Sequence, residues 1–412
     1  MKTRISIASC PEEHLTAFGL DSDKVIYFDI ETTGFRASTS SLYMIGWAVQ
    51  SHASCDGEKR MAVQNEPSSV DEKQWTVTQI MAESASEERL LLEHFRNIMD
   101  RYDTIIEFNG DRFDLPYMRE KYEEYGMDDP FSRCQTVDLY REILPFKKAL
   151  GLTRLNQKSI EKFLSITRED PYNGGELIDV YRSVRDRRIE GISEEEAAVN
   201  ALFLHNYEDV LGMLAMTPLL AYPLAMQSKT AVRICRTGQF NPSNSYADII
   251  NSCADTRMDE TDAKREASGI IEASFDLPVP VPKPLHLTLE EFCDITFENH
   301  LARIHLRPFS GSLCHFFPDY RNYYYLPEED TAIHKSVASF VAASHREKAK
   351  AQNCYVKKQG TFLPLAGESG LPVFQRCYKD PVLWVEYTPE EKPDPAAFSN
   401  YIHRLIMDML SV

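Results

Sequence analysis

The 412-residue sequence lacks the signatures of several protein classes. Its nine cysteines are scattered, odd in number and include no Cys-x-x-Cys pair, which argues against a disulfide framework or zinc ribbon and favours a reducing compartment. No membrane span is visible in the sequence, and no long apolar stretch near the amino terminus resembles a signal peptide. We therefore expect a soluble, cytoplasmic protein with no membrane partner.

Positive charge is also scarce, since 45 lysines and arginines face 63 aspartates and glutamates, a net charge of −18. This balance argues against tight, general binding of nucleic acid, because such affinity comes from neutralising phosphates. Basic residues nevertheless cluster in two stretches that could guide a strand, although such runs are often solvated helix faces. The stretches are Lys147, Lys148, Arg154, Lys158 and Lys162, and Arg182, Arg185, Arg187 and Arg188.

The length predicts two domains. Pro218 and Pro223 end a predicted helix, so we expect a first domain over 21–222, a linker or partly ordered excursion over 223–267, and an α+β domain over 268–412. In the first domain, the patterns predict strands at 25–30, 41–50, 73–81 and 104–108, and helices at 86–101, from about 113, and near 156–165, 176–189 and 194–217. In the second, they predict strands within 268–282, 301–326, 354–363 and 381–387, and helices at 330–350 and 394–410.

Acidic residues in three short blocks are candidates for a metal site. Asp29 and Glu31 end the apolar run Val25-Ile26-Tyr27-Phe28, and on a strand their side chains leave the same face. Asp114 follows Phe108-Asn109-Gly110 and lies at the start of a predicted helix. His205 and Asp209 share a helix face because they are four residues apart. Carboxylates hold Mg²⁺ or Mn²⁺, and paired ions of this kind promote phosphodiester hydrolysis.

Each block alone has an ordinary explanation. Asp-x-Glu commonly ends a strand, Asn109-Gly110-Asp111 is typical of a turn, and His205 with Asp209 could be a solvated helix pair. Their joint occurrence in suitable strand and helix contexts favours the metal site. Other acidic residues nearby are interpreted as structural or solvated: Asp111, Asp138, Glu208 and the acidic group within 192–196.

The three blocks resemble the exonuclease motifs of the DnaQ-like, or DEDD, superfamily, which has the ribonuclease H fold. The resemblance is strongest to the YprB-type ribonuclease H-like family and covers about 21–222. It extends to Thr136-Val137-Asp138-Leu139, to 155–164 and to Arg168-Glu169-Asp170. The second block also resembles the Asn-x-x-x-Phe-Asp pattern in the proofreading domains of family B polymerases. The resemblance implies an α/β fold, a mixed β-sheet flanked by helices, and Asp29, Glu31, Asp114 and Asp209 as the metal ligands.

The third block departs from the superfamily pattern, which has either a tyrosine four residues before the last aspartate or a histidine five residues before it. Here His205 stands at the tyrosine spacing, four residues before Asp209. Histidine titrates near neutrality, so we expect His205 to orient or deprotonate the attacking water.

The sequence thus predicts a metal-dependent 3′–5′ exonuclease that uses two Mg²⁺ or Mn²⁺ ions on single-stranded 3′ ends of DNA or RNA. Two alternatives stay open: a catalytically weak nucleic-acid-binding module, and an endonuclease of the same fold. The C-terminal domain has no assigned role and could bind a protein partner.

Overall fold

The computed structural model describes residues 1–51, 72–227, 230–238, 269–368, 370–388 and 394–411. The chain forms two compact units. Unit 1 comprises Met1–Gln227 and Pro278–Lys283, and unit 2 comprises Ser228–Leu277 and Pro284–Val412. Unit 1 therefore begins before the predicted residue 21. Most of the predicted linker, including 239–268, lies outside the described residues.

Unit 1 contains a six-stranded mixed sheet in the order β1-β4-β3-β2-β5-β6. The β2–β5 and β5–β6 pairs are parallel, while the other three pairs are antiparallel. The structure confirms the four predicted strands and adds β1 and β6. The strands are β1 (Lys2–Pro11), β2 (Val25–Thr32), β3 (Leu42–Gln50), β4 (Glu72–Met81), β5 (Thr104–Glu107) and β6 (Gln135–Asp138).

Helices cover both faces of this sheet, as the ribonuclease H-like fold class requires. One core packs β2 and β3 against α2 and α3, and the other packs β3 and β4 against α6 and α7. Helix α2 begins two residues later than predicted, because Ala85–Glu87 forms a 3-10 turn. The helices are α1 (Glu13–Ala17), α2 (Glu88–Met99), α3 (Asp114–Glu124), α4 (Leu139–Ile143), α5 (Gln157–Leu164), α6 (Gly174–Arg185), α7 (Ile192–Met216) and α8 (Ala221–Gln227).

The helical segment Ile192–Gln227 is long and apolar enough to cross a membrane by length and composition alone. However, 72% of its most apolar window is buried within the structure. Residues such as Leu202 and Phe203 pack against Tyr43 and Met44 of the sheet. The apolar character of this segment is therefore accounted for by its packing in the core of unit 1.

Unit 2 is rich in antiparallel sheet, in the orders β7-β8-β11-β10-β9, β12-β16-β18-β17 and β14-β13-β15. Its described residues also include two helices. The strands are β7 (Arg233–Gly238), β8 (Ile270–Asp276), β9 (Leu285–Leu289), β10 (Cys293–Glu298), β11 (Leu301–Leu306), β12 (Phe309–Phe316), β13 (Tyr323–Leu326), β14 (Thr331–His334), β15 (Glu347–Lys348), β16 (Tyr355–Pro364), β17 (Val373–Phe374) and β18 (Trp384–Glu386), and the helices are α9 (Lys335–Ala338) and α10 (Pro395–Ser411).

The predicted helix over 330–350 is wrong. Asp330, the first residue of the predicted helix, has a φ of 48° and lies in the turn between β13 and β14. It therefore does not begin a helix. Its side chain accepts hydrogen bonds from Tyr325 and Tyr355 and pairs with Lys357. The following residues, Thr331–His334, pair with β13, so sheet pairing replaces the predicted first helical turn. Within 330–350, only the four residues of α9 are α-helical, and Ala343–His345 forms a 3-10 turn.

Candidate active site

The candidate site lies where β2, the start of α3 and the middle of α7 meet. Asp29 and Glu31 lie on β2, and both reach towards α7: Asn206 donates to Asp29 Oδ2 at 2.9 Å, and His205 Nε2 lies 3.8 Å from Glu31 Oε1. The predicted shared face of the two carboxylates is therefore the face that α7 covers. Tyr43 on β3 donates to Glu31 Oε2 at 3.4 Å.

A glycine allows α7 to approach the sheet closely at this point. Gly46 on β3 lies directly opposite Asp29, and a Cβ at this position would come within 2.0 Å of Asn206 Oδ1. Gln79 on β4 donates to the same Asn206 oxygen at 2.9 Å, which orients the amide so that its nitrogen faces Asp29. Gly46 and Gln79 thus position the fully buried Asn206 as a hydrogen-bond donor to the site.

Asp114 is the first residue of α3, as predicted. Its Oδ1 lies 3.4 Å from the backbone nitrogen of Ile30, between Asp29 and Glu31 on β2. The amino end of a helix favours a negative charge, which suits a carboxylate that faces other carboxylates.

His205 bridges two carboxylates, Asp209 on its own helix and Asp170 in the loop between α5 and α6. Its Nδ1 lies 2.6 Å from Asp170 Oδ2, and its Nε2 lies 3.3 Å from Asp209 Oδ2. Burial acts to raise the pKa of Asp170, but the hydrogen bond with His205 acts in the opposite direction, and the pKa lies below its usual value. An ionised carboxylate can only accept, so His205 donates from Nδ1 to Asp170, and its Nε2 is the ring nitrogen that faces Asp209 and Glu31.

Arg168 holds the other side of Asp209. Its Nη1 donates to Asp209 Oδ1 at 2.7 Å and to Glu161 Oε1 at 3.1 Å. Its Nε lies 3.4 Å from Glu208, whose carboxylate also accepts from the backbone nitrogens of Glu169 and Asp170. Burial alone would lower the pKa of Arg168, but the surrounding carboxylates raise it. Arg168 therefore remains charged and leaves Asp209 Oδ2 directed at His205.

The carboxylates strongly affect one another's ionisation. Burial, followed by the charges of Asp209 and Asp114, raises the pKa of both Asp29 and Glu31 well above their ordinary values. Burial raises the pKa of Asp114 to about 7, although backbone hydrogen bonds from Ile30 and Asp114 itself oppose the shift. Such a group of acids can be fully ionised at neutral pH only with added positive charge.

The structure thus brings all five predicted site residues to one region. Ligand atoms of Glu31, His205 and Asp209 lie within 4.8 Å of one another, an arrangement that could hold a metal ion. Asp29 and Asp114 are outside this group of three, but the charge of Asp209 helps to raise the pKa of both. No role was predicted from the sequence for Asn206, Arg168 and Asp170, although all three lie in blocks that carry the resemblance.

Residues 26–221 match a family model of the ribonuclease H superfamily. Among solved structures, the family B DNA polymerase from the hyperthermophilic archaeon Pyrobaculum calidifontis is similar at 13% identity, with 72% of this chain and 35% of that chain covered and a TM-score of 0.28. No curated protein matches the sequence. The family match and the mixed sheet flanked by helices identify 26–221 as a ribonuclease H-like region.

Proposed function

We propose that the protein is a metal-dependent 3′–5′ exonuclease that hydrolyses phosphodiester bonds of single-stranded or frayed nucleic acid by a two-metal-ion mechanism. The observation that carries the proposal is the gathering of Asp29, Glu31, Asp114 and Asp209 around His205. The family match of 26–221 supports the broader assignment as a nuclease.

The donor set fits hard divalent cations. Asp29, Glu31, Asp114 and Asp209 would hold two Mg²⁺ or Mn²⁺ ions, since these metals prefer carboxylate oxygens. The raised pKa values of Asp29, Glu31 and Asp114 support this fit, because bound cations would let all these acids ionise together. When bound, such ions stabilise the attacking and leaving oxygens of the phosphodiester.

The protein's own contribution is to orient the nucleophile and hold the ligands. With its proton held on Nδ1 by Asp170, a neutral His205 would present the lone pair of Nε2 to the site. In our proposal this nitrogen accepts a proton from the attacking water. Arg168 and Asn206 hold Asp209 and Asp29 in place from outside the cluster.

An exposed aromatic side chain next to the site supports a single-stranded substrate. Phe35 follows Thr33-Gly34, just after the end of β2, and is 90% exposed. Its ring centroid lies 6.2 Å from that of Phe113, the residue before Asp114. Exposed aromatic rings stack on unpaired bases, so these rings could hold the terminal bases of a strand beside the carboxylates.

The proposal is tested with 3′- and 5′-labelled single-stranded DNA and RNA in Mn²⁺, Mg²⁺ or EDTA. We expect a metal-dependent ladder from the 3′ end, and its loss in Asp29→Asn and Asp209→Asn variants that still fold. Asp128→Asn is a matched control, because the Asp128 side chain is 91% exposed in a surface ion pair with Arg96.

Other outcomes would replace the proposal in defined ways. Discrete internal fragments would indicate an endonuclease of the same fold. Binding of oligonucleotides without metal-dependent cleavage would indicate a nucleic-acid-binding module. Wild-type turnover in either variant would show that these carboxylates are not the catalytic ligands. The preferred sugar follows from the relative rates on DNA and RNA.

A further inference from the structure

A second group of carboxylates lies at the ends of β5 and β6, apart from the site described above. Glu107 and Asp138 are the last residues of these parallel strands and are directly paired across them. Asp111 lies in the loop after β5. One oxygen from each of the three residues lies within 4.8 Å of the other two.

Two of these carboxylates are almost completely buried. Glu107 is 1% exposed and Asp138 is 4% exposed. Asp138 Oδ1 accepts hydrogen bonds from the backbone nitrogens of Asn109 at 2.8 Å and Tyr140 at 2.9 Å. By contrast, its Oδ2 is buried and has no hydrogen-bond partner among the described residues. An unpaired buried carboxylate oxygen costs free energy unless a proton or a cation reaches it.

The protein side chains do not supply enough positive charge for this group. Arg141 pairs with Asp111, but its side chain is 69% exposed to solvent, where water screens its charge from the two buried carboxylates. Burial, followed by the charge of Asp138, raises the pKa of Glu107 to about 9. Full ionisation near neutral pH therefore requires another positive charge.

We propose that Glu107, Asp111 and Asp138 bind one Ca²⁺ ion. This site is separate from the one proposed for the catalytic ions. Ca²⁺ binds six to eight oxygens at roughly 2.3–2.6 Å in flexible geometry, so it can accept carboxylates whose positions are already fixed by backbone hydrogen bonds. Mg²⁺ demands near-ideal octahedral geometry, which carboxylates fixed in this way are less suited to supply. Asp111 and Arg141 also line a surface pocket with Arg112, Tyr140 and Leu144, which gives an ion and its waters an entry path.

The bound ion would fix the loop that leads to the candidate active site. The loop backbone already depends on this cluster, because Glu107 accepts from the nitrogens of Gly110 and Asp111, and Asp138 accepts from that of Asn109. Asn109 has a φ of 61°, a conformation that needs support from its surroundings. Helix α3 and Asp114 begin three residues after Asp111, so the cation acts on the position of Asp114 through the loop.

The test counts bound Ca²⁺ in full-length protein carrying Asp29→Asn and Asp209→Asn, which disables the catalytic site. EDTA-treated, desalted protein is titrated with Ca²⁺ in a calorimeter, and its unfolding midpoint is measured with and without Ca²⁺. We expect one bound ion and a higher midpoint with Ca²⁺. Adding Asp111→Asn should weaken binding at least tenfold, and adding Asp138→Asn should abolish it, while Asp128→Asn should change neither.

Two results would overturn the proposal. Absence of Ca²⁺ binding in the double variant would show that Glu107 and Asp138 share a proton instead. Binding that is unchanged by both Asp111→Asn and Asp138→Asn would place the ion elsewhere. In the Asp138→Asn variant, the asparagine oxygen can still cap α4. If this variant nevertheless fails to fold, Ca²⁺ binding by the Asp111→Asn variant decides, because the Asp111 side chain is partly exposed. The test measures Ca²⁺ binding and the unfolding midpoint rather than cleavage. Failure of the exonuclease proposal would therefore be detected in a different experiment.

Discussion

At the scale of single residues, the candidate site depends on which nitrogen of His205 carries the proton. Asp170 lies in the loop between α5 and α6, and its Oδ2 lies 2.6 Å from Nδ1 of His205. Its Oδ1 accepts from the backbone nitrogen of Tyr172 at 3.0 Å, which fixes the carboxylate in turn. A carboxylate that orients a histidine in this way sets the tautomer that the histidine presents on its other side.

Replacing Asp170 with asparagine tests this arrangement. The asparagine amide can donate to Nδ1, which would move the histidine proton to Nε2 and remove the acceptor that faces Asp209 and Glu31. We expect kcat on a single-stranded oligonucleotide to fall roughly 10- to 100-fold, the range typical of such supporting residues, with KM within about twofold. Asp128→Asn should leave both constants unchanged. An unaltered kcat in a folded Asp170→Asn variant would show that His205 is not used in this tautomer.

The difference between predicted and unforeseen site residues follows from how each is positioned. Asp29 with Glu31, and His205 with Asp209, are related by the repeat of one strand or one helix, so their spacing is readable in the sequence. Asp170 is 35 residues from His205, and loop packing alone brings them together. Asn206 stands in a predicted block, but its role depends on the absence of a side chain at Gly46 on another element.

At the scale of elements, sequence periodicity failed where pairing with neighbours decides the structure. Strand β1 was not predicted. Its most apolar residues, Ile5 and Ile7, lie on the exposed face of the strand rather than in the core. It forms nevertheless through ten residue pairs with β4. Apolar residues such as Val337 and Phe340 favoured a helix at 330–350 that packs against the core. In the structure both side chains are exposed. Strands at edges and in small sheets follow their partners more than their own pattern.

The loop after β2 gives a prediction at this scale. Because Phe35 extends from this loop beside Phe113 and Asp114, we expect Phe35→Ala to raise KM for single-stranded oligonucleotides about fivefold or more, as expected if one base loses roughly 1 kcal/mol or more of stacking. Cleavage of a nitrophenyl ester of a single nucleotide, which has no neighbouring base to stack, should retain its rate. Phe340→Ala is the matched control, because Phe340 is 89% exposed in unit 2.

A result in which both phenylalanine variants weaken oligonucleotide cleavage equally would remove the special role of Phe35. Loss of ester cleavage in Phe35→Ala would instead indicate that the loop supports Asp29 and Glu31 rather than the bases. Either outcome leaves the assignment of the carboxylates to be judged from the Asp29→Asn variant.

At the scale of the whole molecule, the net charge of −18 limits how the protein can hold a polyanion. Part of the basic charge is already neutralised within the fold: Arg185 and Arg188 pair with Asp186. Lys158 donates to the carbonyl of Tyr172 at 2.6 Å and lies 3.6 Å from Asp170. These contacts reduce the number of cations in the two basic stretches that can contact phosphates along a strand.

This charge balance predicts a weak dependence of substrate binding on salt. For single strands, each phosphate contact contributes a slope of about −0.7 to the plot of log affinity against log salt concentration. With about two or three contacts near the 3′ end, we expect a slope of about −2, measured from 1/KM in increasing KCl at fixed Mn²⁺. KM should also stop falling once the oligonucleotide exceeds a few nucleotides.

A slope steeper than about −4, or a KM that keeps falling with length, would reveal an extended nucleic-acid surface that the net charge does not suggest. Binding would then depend on local basic surfaces, and the first to test by alanine substitution would be Lys147, Lys148 and Arg154.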